Sequence, residues 1–77
     1  MLFLKPNDEV AILPRKGAAP SELFEIAIVA YAGPALIELT DGRVYCASDG
    51  QNIGAAADGW IVAATDEHRQ AFRGKLH

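Results

Sequence analysis

Apolar and polar residues alternate along the middle of the chain, between residues 24 and 47. Two runs, 24–31 and 35–40, repeat with the period of two that is typical of a β-strand with one apolar face. A Gly33-Pro34 pair lies between the runs and favours a turn, because proline lacks a backbone donor and resists continuation of a strand. The pattern therefore predicts two antiparallel strands joined by a turn.

A third strand is predicted after Asp41-Gly42. This pair is typical of a two-residue type I′ hairpin turn, since both central positions of that turn need positive φ. The three strands would form a meander with one strongly apolar face, and that face should be the core. Its predicted members are Phe24, Ile26, Ile28, Ile37, Leu39, Val44 and Cys46.

Two further strands flank the meander in the sequence. Residues 9–13 form a short apolar run that Pro14 ends, and residues 60–63 form another run after a glycine-rich loop at 48–59. Short β-prone runs bounded by proline and glycine are read as strands. We therefore expect five strands in total.

A short helix is predicted at the end of the chain, over about residues 66–74. Thr65 supplies an N-cap hydroxyl and is followed by two acidic residues, which suit the positive end of the helix dipole. Gly74 is a plausible terminator. No repeat or linker divides the sequence, so we expect one domain, residues 1–77.

Composition and charge mainly exclude certain classes of function and structure. The chain has 77 residues with a formal net charge of −3, which works against binding that depends on neutralising phosphates. It has one cysteine, hence no internal disulfide, and no apolar run approaches the roughly 18 residues of a membrane span. The first residues lack the pattern of a secretory signal. We expect a cytoplasmic protein.

Candidate residues for chemistry are few. Cys46 is expected to pack in the core, because an activated thiolate needs a nearby base or a helix N-terminus. His68 has only His77 as a companion, and zinc needs more ligands than that, so a structural or surface histidine is expected. The glycine loop lacks the Lys-Ser or Lys-Thr pair of a phosphate loop. We therefore expect no catalytic residue, no metal site and no cofactor.

Aromatic side chains are the candidates for binding. Tyr31 and Tyr45 fall on the outward parity of adjacent predicted strands, and Trp60 opens the last strand beside the glycine loop. Outward aromatics with few charges around them form binding surfaces, although packing in the core or at its rim stays an equal alternative. Basic residues expected to border this patch are Arg15, Lys16 and Arg43.

Five short strands with tight turns and a terminal helix favour a small closed or half-closed barrel over a sandwich, which usually needs about seven strands. The order of the runs 8–13, 25–31, 35–39 and 41–45 resembles the strand sequence of Src-homology-3-like (SH3-like) barrels. We expect an all-β fold, a small five-stranded antiparallel SH3-like barrel with a short C-terminal helix.

A second resemblance covers residues 10–68. The motif Thr-Asp-Gly-Arg at 40–43, a glycine loop, Trp-Ile-Val at 60–62 and Ala-Thr-Asp-Glu-His at 64–68 resemble small uncharacterised phage- and plasmid-borne proteins. This resemblance implies a mobile-element origin and carries no active site. Neither the acidic-aromatic signature of peptide-binding SH3 domains nor the Val-Gln-Ile-Tyr strand of plasmid-type dihydrofolate reductases is present, so neither activity is implied.

Three functions follow from these observations. The first is a non-catalytic interaction module that binds a protein partner through the aromatic patch or through an exposed strand edge, with a homo-oligomer as one form of it. The second is a nucleic-acid-associated barrel that stacks bases on the same aromatics and contacts phosphates through Arg15, Lys16, Arg43, Arg69 and Arg73. The third is an oligomeric enzyme with its site at a symmetry axis, which no particular residue in the sequence indicates.

Overall fold

The computed structural model describes residues 3–53 and 59–75 and contains five antiparallel strands and one helix. The elements are β1 (Glu9–Leu13), β2 (Glu25–Ala32), β3 (Leu36–Leu39), β4 (Val44–Cys46), β5 (Trp60–Ala63) and α1 (Asp66–Lys75). The predicted mainly β fold, a small SH3-like barrel with a short C-terminal helix, is confirmed. Residues 54–58 of the predicted glycine loop and His77 lie outside the described residues.

The strands form one curled sheet in the order β4-β3-β2-β1-β5, so the half-barrel has β4 and β5 at its two edges. Residues 50–53 lie between those edges and bond to both of them. Ile53 donates its N–H to the Val44 carbonyl, and Ile61 donates to the Gly50 carbonyl, each at 2.8 Å. The glycine-rich loop therefore begins as a connection that links the two edges.

The inner side of the curled sheet holds the main core. Its buried members are Val10, Ile12, Val29, Ile37, Leu39, Tyr45, Ala47 and Ile61. Direct partners in antiparallel strands share a face, and Ile37 pairs with Tyr45 while Val29 pairs with Leu39. The predicted core positions Ile37 and Leu39 are confirmed.

The predicted facing of β4 is wrong. Gly42 has a φ of 93° and donates to the Leu39 carbonyl at 3.0 Å, while Asp41 has negative φ, so the hairpin is not a two-residue type I′ turn. Leu39 donates to the Arg43 carbonyl, which leaves three residues in the loop. This one-residue slip exchanges the faces of β4. Tyr45 therefore points into the core, and the predicted core residues Val44 and Cys46 are half-buried on the outer side.

The predicted facing of β2 is also wrong in its first half. Phe24 is 55 % exposed, and Ile26 and Ile28 belong to the outer parity, because their neighbours across the sheet are Ala11 and Glu9. The inner parity is taken by smaller side chains such as Ala27. A shift of register between Val29 and Tyr31 then inserts one extra residue, as in a β-bulge, and reverses the parity. The second half of β2 therefore turns Tyr31 outward, as predicted.

Helix α1 covers the outer side of β1, β5 and the first half of β2. A second buried cluster lies there, made of Leu13, Ala18 and Leu23 with the partly buried Ile26, Val62, Ala71 and Phe72. Leu23 follows a single 3-10 turn, Pro20–Glu22, which the sequence pattern does not predict. Arg69 of α1 adds an ion pair, with its Nε 2.9 Å from Oε1 of Glu9 on β1.

Thr65 caps α1 as predicted, and His68 is its reciprocal partner. The His68 backbone N–H donates to Thr65 Oγ1 at 3.3 Å, and the Thr65 backbone N–H donates to His68 Nδ1 at 3.1 Å. This pair of bonds is a capping box in which histidine takes the place of glutamate. His68 is buried and has a structural role. No helix in residues 3–53 and 59–75 combines the length and hydrophobicity that a membrane span requires.

Candidate functional site

The predicted aromatic patch does not form as a single surface. Tyr45 is only 1 % exposed and belongs to the core, so its predicted place in a surface patch is wrong. Tyr31 is 55 % exposed on the outer side of β2. Trp60 is half-buried on β5, and both β4 and residues 50–53 lie between it and β3. The three aromatics therefore do not share one binding surface.

Arg43 is engaged within the fold. Its Nη2 lies 2.7 Å from Oε1 of Glu25 on β2, and its Nε donates to Asp41 Oδ2 at 2.7 Å. The hydrogen bond from the Arg43 side chain, supported by a second from its backbone, holds the pKa of Asp41 below its usual value. The same bond to Asp41 raises the pKa of Arg43. Arg43 thus ties the β3–β4 hairpin to β2.

Arg15 and Lys16 lie in the loop after β1 and have different surroundings. Arg15 pairs with Glu22 at 2.7 Å, and Glu22 also accepts a hydrogen bond from the Ala19 backbone at 2.8 Å. That backbone bond, followed by the one from Arg15, lowers the pKa of Glu22. Arg15 therefore stabilises the 3-10 turn, whereas Lys16 lines a cleft.

The Lys16 cleft has a volume of about 260 Å³. It brings Lys16 and Trp60, two predicted site residues, together with Leu13, Gly17, Ser48, Asp49, Ile61 and Val62. Next to it, Cys46 Sγ is 2.9 Å from Ser48 Oγ, and this hydrogen bond lowers the pKa of the Cys46 thiol. No histidine or helix N-terminus accompanies the thiol among the residues that surround this cleft. The lining of this cleft combines the lysine and aspartate side chains with an indole ring.

A second cleft, of about 270 Å³, lies where α1 meets β1 and β2. Its lining combines Ile26, Ile28 and Phe72 with Glu9, Arg69 and Arg73. Arg69 is already bonded to Glu9 and, at 3.1 Å, to Asp66, and the bond to Glu9 is the main reason why the pKa of Arg69 is raised. The apolar part of this cleft is the border of the packing between helix and sheet.

A third surface lies on the outer side of β3, β4 and the second half of β2, the part of the sheet that α1 does not cover. We call this surface the bare face. The strand register decides which residues belong to this face. Glu38 on β3 pairs with Tyr31 on β2 and with Val44 on β4, so the three side chains lie side by side. Ile53 lies beside Val44, to whose carbonyl it donates. The bare face consists of Tyr31, Leu36, Glu38, Val44, Cys46, Gln51 and Ile53.

Large apolar side chains of the bare face are exposed to solvent. Tyr31 is 55 %, Leu36 is 43 % and Ile53 is 49 % exposed, and Val44 is half-buried between them. The Tyr31 ring leans along β2 over Gly33, where an added Cβ would lie 2.6 Å from the tyrosine hydroxyl. Gly33 in turn donates its N–H to the Leu36 carbonyl at 2.8 Å. Tyr31 thereby extends towards the Leu36 end of the face.

Sequence reasoning missed Leu36, Val44 and Ile53 as surface residues. Leu36 shows the signal in the sequence, since it shares its parity with Glu38 and lies opposite Ile37 and Leu39. Val44 was assigned to the core because of the assumed hairpin turn. A wider search for apolar side chains on the polar parity of a strand would have pointed to this face.

The described residues bring together no group of three or more histidine, cysteine, aspartate or glutamate side chains that could hold a metal ion. No protein-family model, curated protein or solved structure matches this chain. Function has to be inferred from the geometry of the molecule itself.

Proposed function

We propose that this chain is a non-catalytic interaction module that binds a protein partner through the bare face. The observation that carries the proposal is the exposure of Tyr31, Leu36 and Ile53 on one side of a sheet whose opposite side holds the main core. Exposed apolar side chains that cluster on one surface and are accompanied by polar residues mark interaction sites. Interface cores are likewise enriched in aromatic side chains such as tyrosine.

Binding through a strand edge is the weaker form of this proposal. The outer edge of β4 already bonds to residues 50–53, through the Cys46 N–H and the Val44 carbonyl. The edge of β5 bonds to the same residues through the Gly59 carbonyl and the Ile61 N–H. A partner strand would have to displace these hydrogen bonds, whereas the bare face needs no rearrangement.

Nucleic-acid association finds less support, because three of the four arginines that would contact phosphates are paired with carboxylates. Proteins of that kind combine stacking aromatics with a positively charged groove. Here each of three arginines lies within ion-pair distance of an acid, in the pairs Arg15–Glu22, Arg43–Glu25 and Arg69–Glu9. The exposed aromatic Tyr31 has Glu38, an acid, as its direct neighbour across the strands.

The proposal is tested by site-specific photo-crosslinking in a lysate of the source cells. A photo-crosslinking amino acid is placed at Leu36, at Ile53 or, as a control, at Gln70, which is exposed on α1. We expect the same partner to be crosslinked from both bare-face positions and not from the control. The purified partner should then bind the wild-type chain in solution.

Other outcomes of this experiment contradict the proposal in distinct ways. A second copy of the chain in the bare-face adducts would replace the partner by a homodimer. Equal adducts from the two bare-face positions and from Gln70 would indicate non-specific capture. Absence of any adduct from Leu36 and Ile53 would remove the bare face as a binding surface.

A further inference from the structure

We infer that the bare face recognises a lysine or arginine side chain of its partner, held between the Glu38 carboxylate and the Tyr31 ring. The inference rests on the proposed function of this face and specifies the chemistry that the partner must present, namely a cation surrounded by apolar side chains.

Glu38 is the acid at the centre of an otherwise uncharged surface. Its direct neighbours across the strands are Tyr31 on β2 and Val44 on β4, at the short side-chain separations of paired strands, about 4.5–5.5 Å between Cβ atoms. Glu38 is exposed. Within residues 3–53 and 59–75, the ion pairs involve Arg15, Arg43 and Arg69, and none of them includes Glu38.

Docking of a purely apolar partner would be unfavourable at this position. The flanking side chains would be covered together with Glu38, and a carboxylate that loses its water without gaining a partner is strongly destabilising. A cation on the partner removes that penalty and adds a charge-assisted hydrogen bond. Charge complementarity therefore selects a basic residue at the centre of the contact.

Tyr31 supplies the second half of the site. Its ring lies over Gly33, which has no Cβ to displace it, and Tyr31 is paired with Glu38 across the strands. A guanidinium or ammonium group within about 6 Å of a tyrosine ring centroid is attracted by the negative face of the ring. A cation bonded to Glu38 would therefore contact both groups.

The same charge disfavours a second copy of this chain as the occupant. A twofold dimer through the bare face would place two Glu38 carboxylates in one self-complementary interface. The face itself contributes no lysine or arginine to neutralise them, since its members are tyrosine, leucine, glutamate, valine, cysteine, glutamine and isoleucine. A partner of different chemistry fits better.

Peptide titrations followed by amide NMR test the inference. The probes are acetyl-Leu-Arg-Leu-amide and acetyl-Leu-citrulline-Leu-amide, which differ in the charge of one side chain and hardly in its shape. We expect both to shift bare-face amides, with the arginine peptide binding about 1.5- to fivefold more tightly, the range of an exposed ion pair.

Two variants and a control assign that preference to its residues. Glu38→Gln should abolish the difference between the peptides, whereas Glu67→Gln, which removes an exposed acid from α1, should leave it intact. Tyr31→Leu keeps an apolar side chain but removes the ring, and should weaken the arginine peptide by about two- to fivefold, with little effect on the citrulline peptide.

Several results would overturn the inference without touching the proposed function. Equal affinities for the two peptides, or an arginine preference that survives Glu38→Gln, would mean that Glu38 does not select a cation. Absence of amide chemical-shift changes on the bare face with either peptide would likewise mean that Glu38 does not select a cation. The proposed function is decided separately, by the crosslinks from Leu36 and Ile53.

Discussion

The outer side of the sheet has two halves that differ in what covers them. On β1, β5 and the first half of β2, helix α1 and the 3-10 turn pack against apolar side chains such as Leu13 and Val62. On β3, β4 and residues 51–53, comparable side chains such as Leu36 and Ile53 stay exposed. The same type of residue thus serves folding in one half and, we propose, recognition in the other.

Acidic side chains in both halves are paired with arginines of the fold. Beside α1, Glu9 is held by Arg69, and at the hairpin Asp41 is held by Arg43. Glu38 on the bare face takes part in none of the ion pairs of the described residues. This carboxylate in the centre of an uncovered apolar surface is the reason why we propose that this half contacts another molecule.

The largest effect on stability is expected at Tyr45, which the inner side of the sheet buries completely. Tyr45→Ala removes a large ring from the core and should lower the free energy of unfolding by about 3–5 kcal/mol. Leu36→Ala on the bare face should cost no more than about 0.5–1 kcal/mol, because the side chain is 43 % exposed. Urea unfolding measures both.

Tyr45→Phe provides a milder variant that keeps the ring, for use where Tyr45→Ala leaves no folded protein. Should Leu36→Ala destabilise the protein as much as Tyr45→Ala, the assignment of the two faces of the β3–β4 hairpin would be contradicted.

A smaller loss is expected in the half that α1 covers. Phe72 is partly buried against the cluster of Leu13, Ala18 and Leu23, and Phe72→Ala should reduce the free energy of unfolding by about 1–3 kcal/mol. Partner binding should not change, since Phe72 lies away from the bare face. Thermal unfolding and a binding assay on the same sample check both points, and weaker binding without unfolding would show that the two halves are not separate in function.

The cap of α1 should contribute about 1 kcal/mol. Thr65→Ala removes the hydroxyl that accepts the His68 N–H and should lower stability by that amount, whereas Thr65→Ser keeps the acceptor and should be close to neutral. Circular dichroism of the two variants on heating measures the difference. Equal stability of Thr65→Ala and Thr65→Ser would mean that the capping box does not stabilise the helix.

The smallest effect concerns pH. The pKa of Asp41 is lower in the folded state than its ordinary value of 3.8, so the stabilisation is present above that pH and is lost as the pH falls further and the carboxylate becomes protonated. Asp41→Asn should therefore flatten the acid limb of the stability profile slightly, because exposed ion pairs contribute little. Urea unfolding at several acidic pH values measures this slope, and an unchanged slope would contradict the role of Asp41.

The positions of the strands could be predicted from the sequence. Which face of each strand points into the core could be predicted only in part. The run at 9–13 became β1, the run at 60–63 became β5, and Thr65 marked the start of α1. These segments end at prolines, glycines or a cap, so their bounds are local properties. Which side of a strand faces inward depends on register, and register depends on neighbouring strands.

Two features of the sequence account for the errors in predicting which strand faces point into the core. Asp41-Gly42 suits both a two-residue and a three-residue hairpin loop, because each places glycine at positive φ, and the longer loop turned Tyr45 inward. In β2, both parities are apolar, so alternation alone could not assign Ile26 and Val29 to opposite sides. Within the bare face, Leu36 carries a signal in the sequence because it shares its parity with Glu38, whereas the outward position of Val44 depends on the hairpin register.

The most direct test of the account is the affinity of the crosslinked and purified partner for Leu36→Thr, with Gln70→Ala as control. Threonine retains the preference for β-structure, so the fold should keep its stability while the face loses an apolar anchor. We predict at least about tenfold weaker binding for Leu36→Thr and unchanged binding for the control. Unchanged affinity for Leu36→Thr in a folded protein would contradict the account.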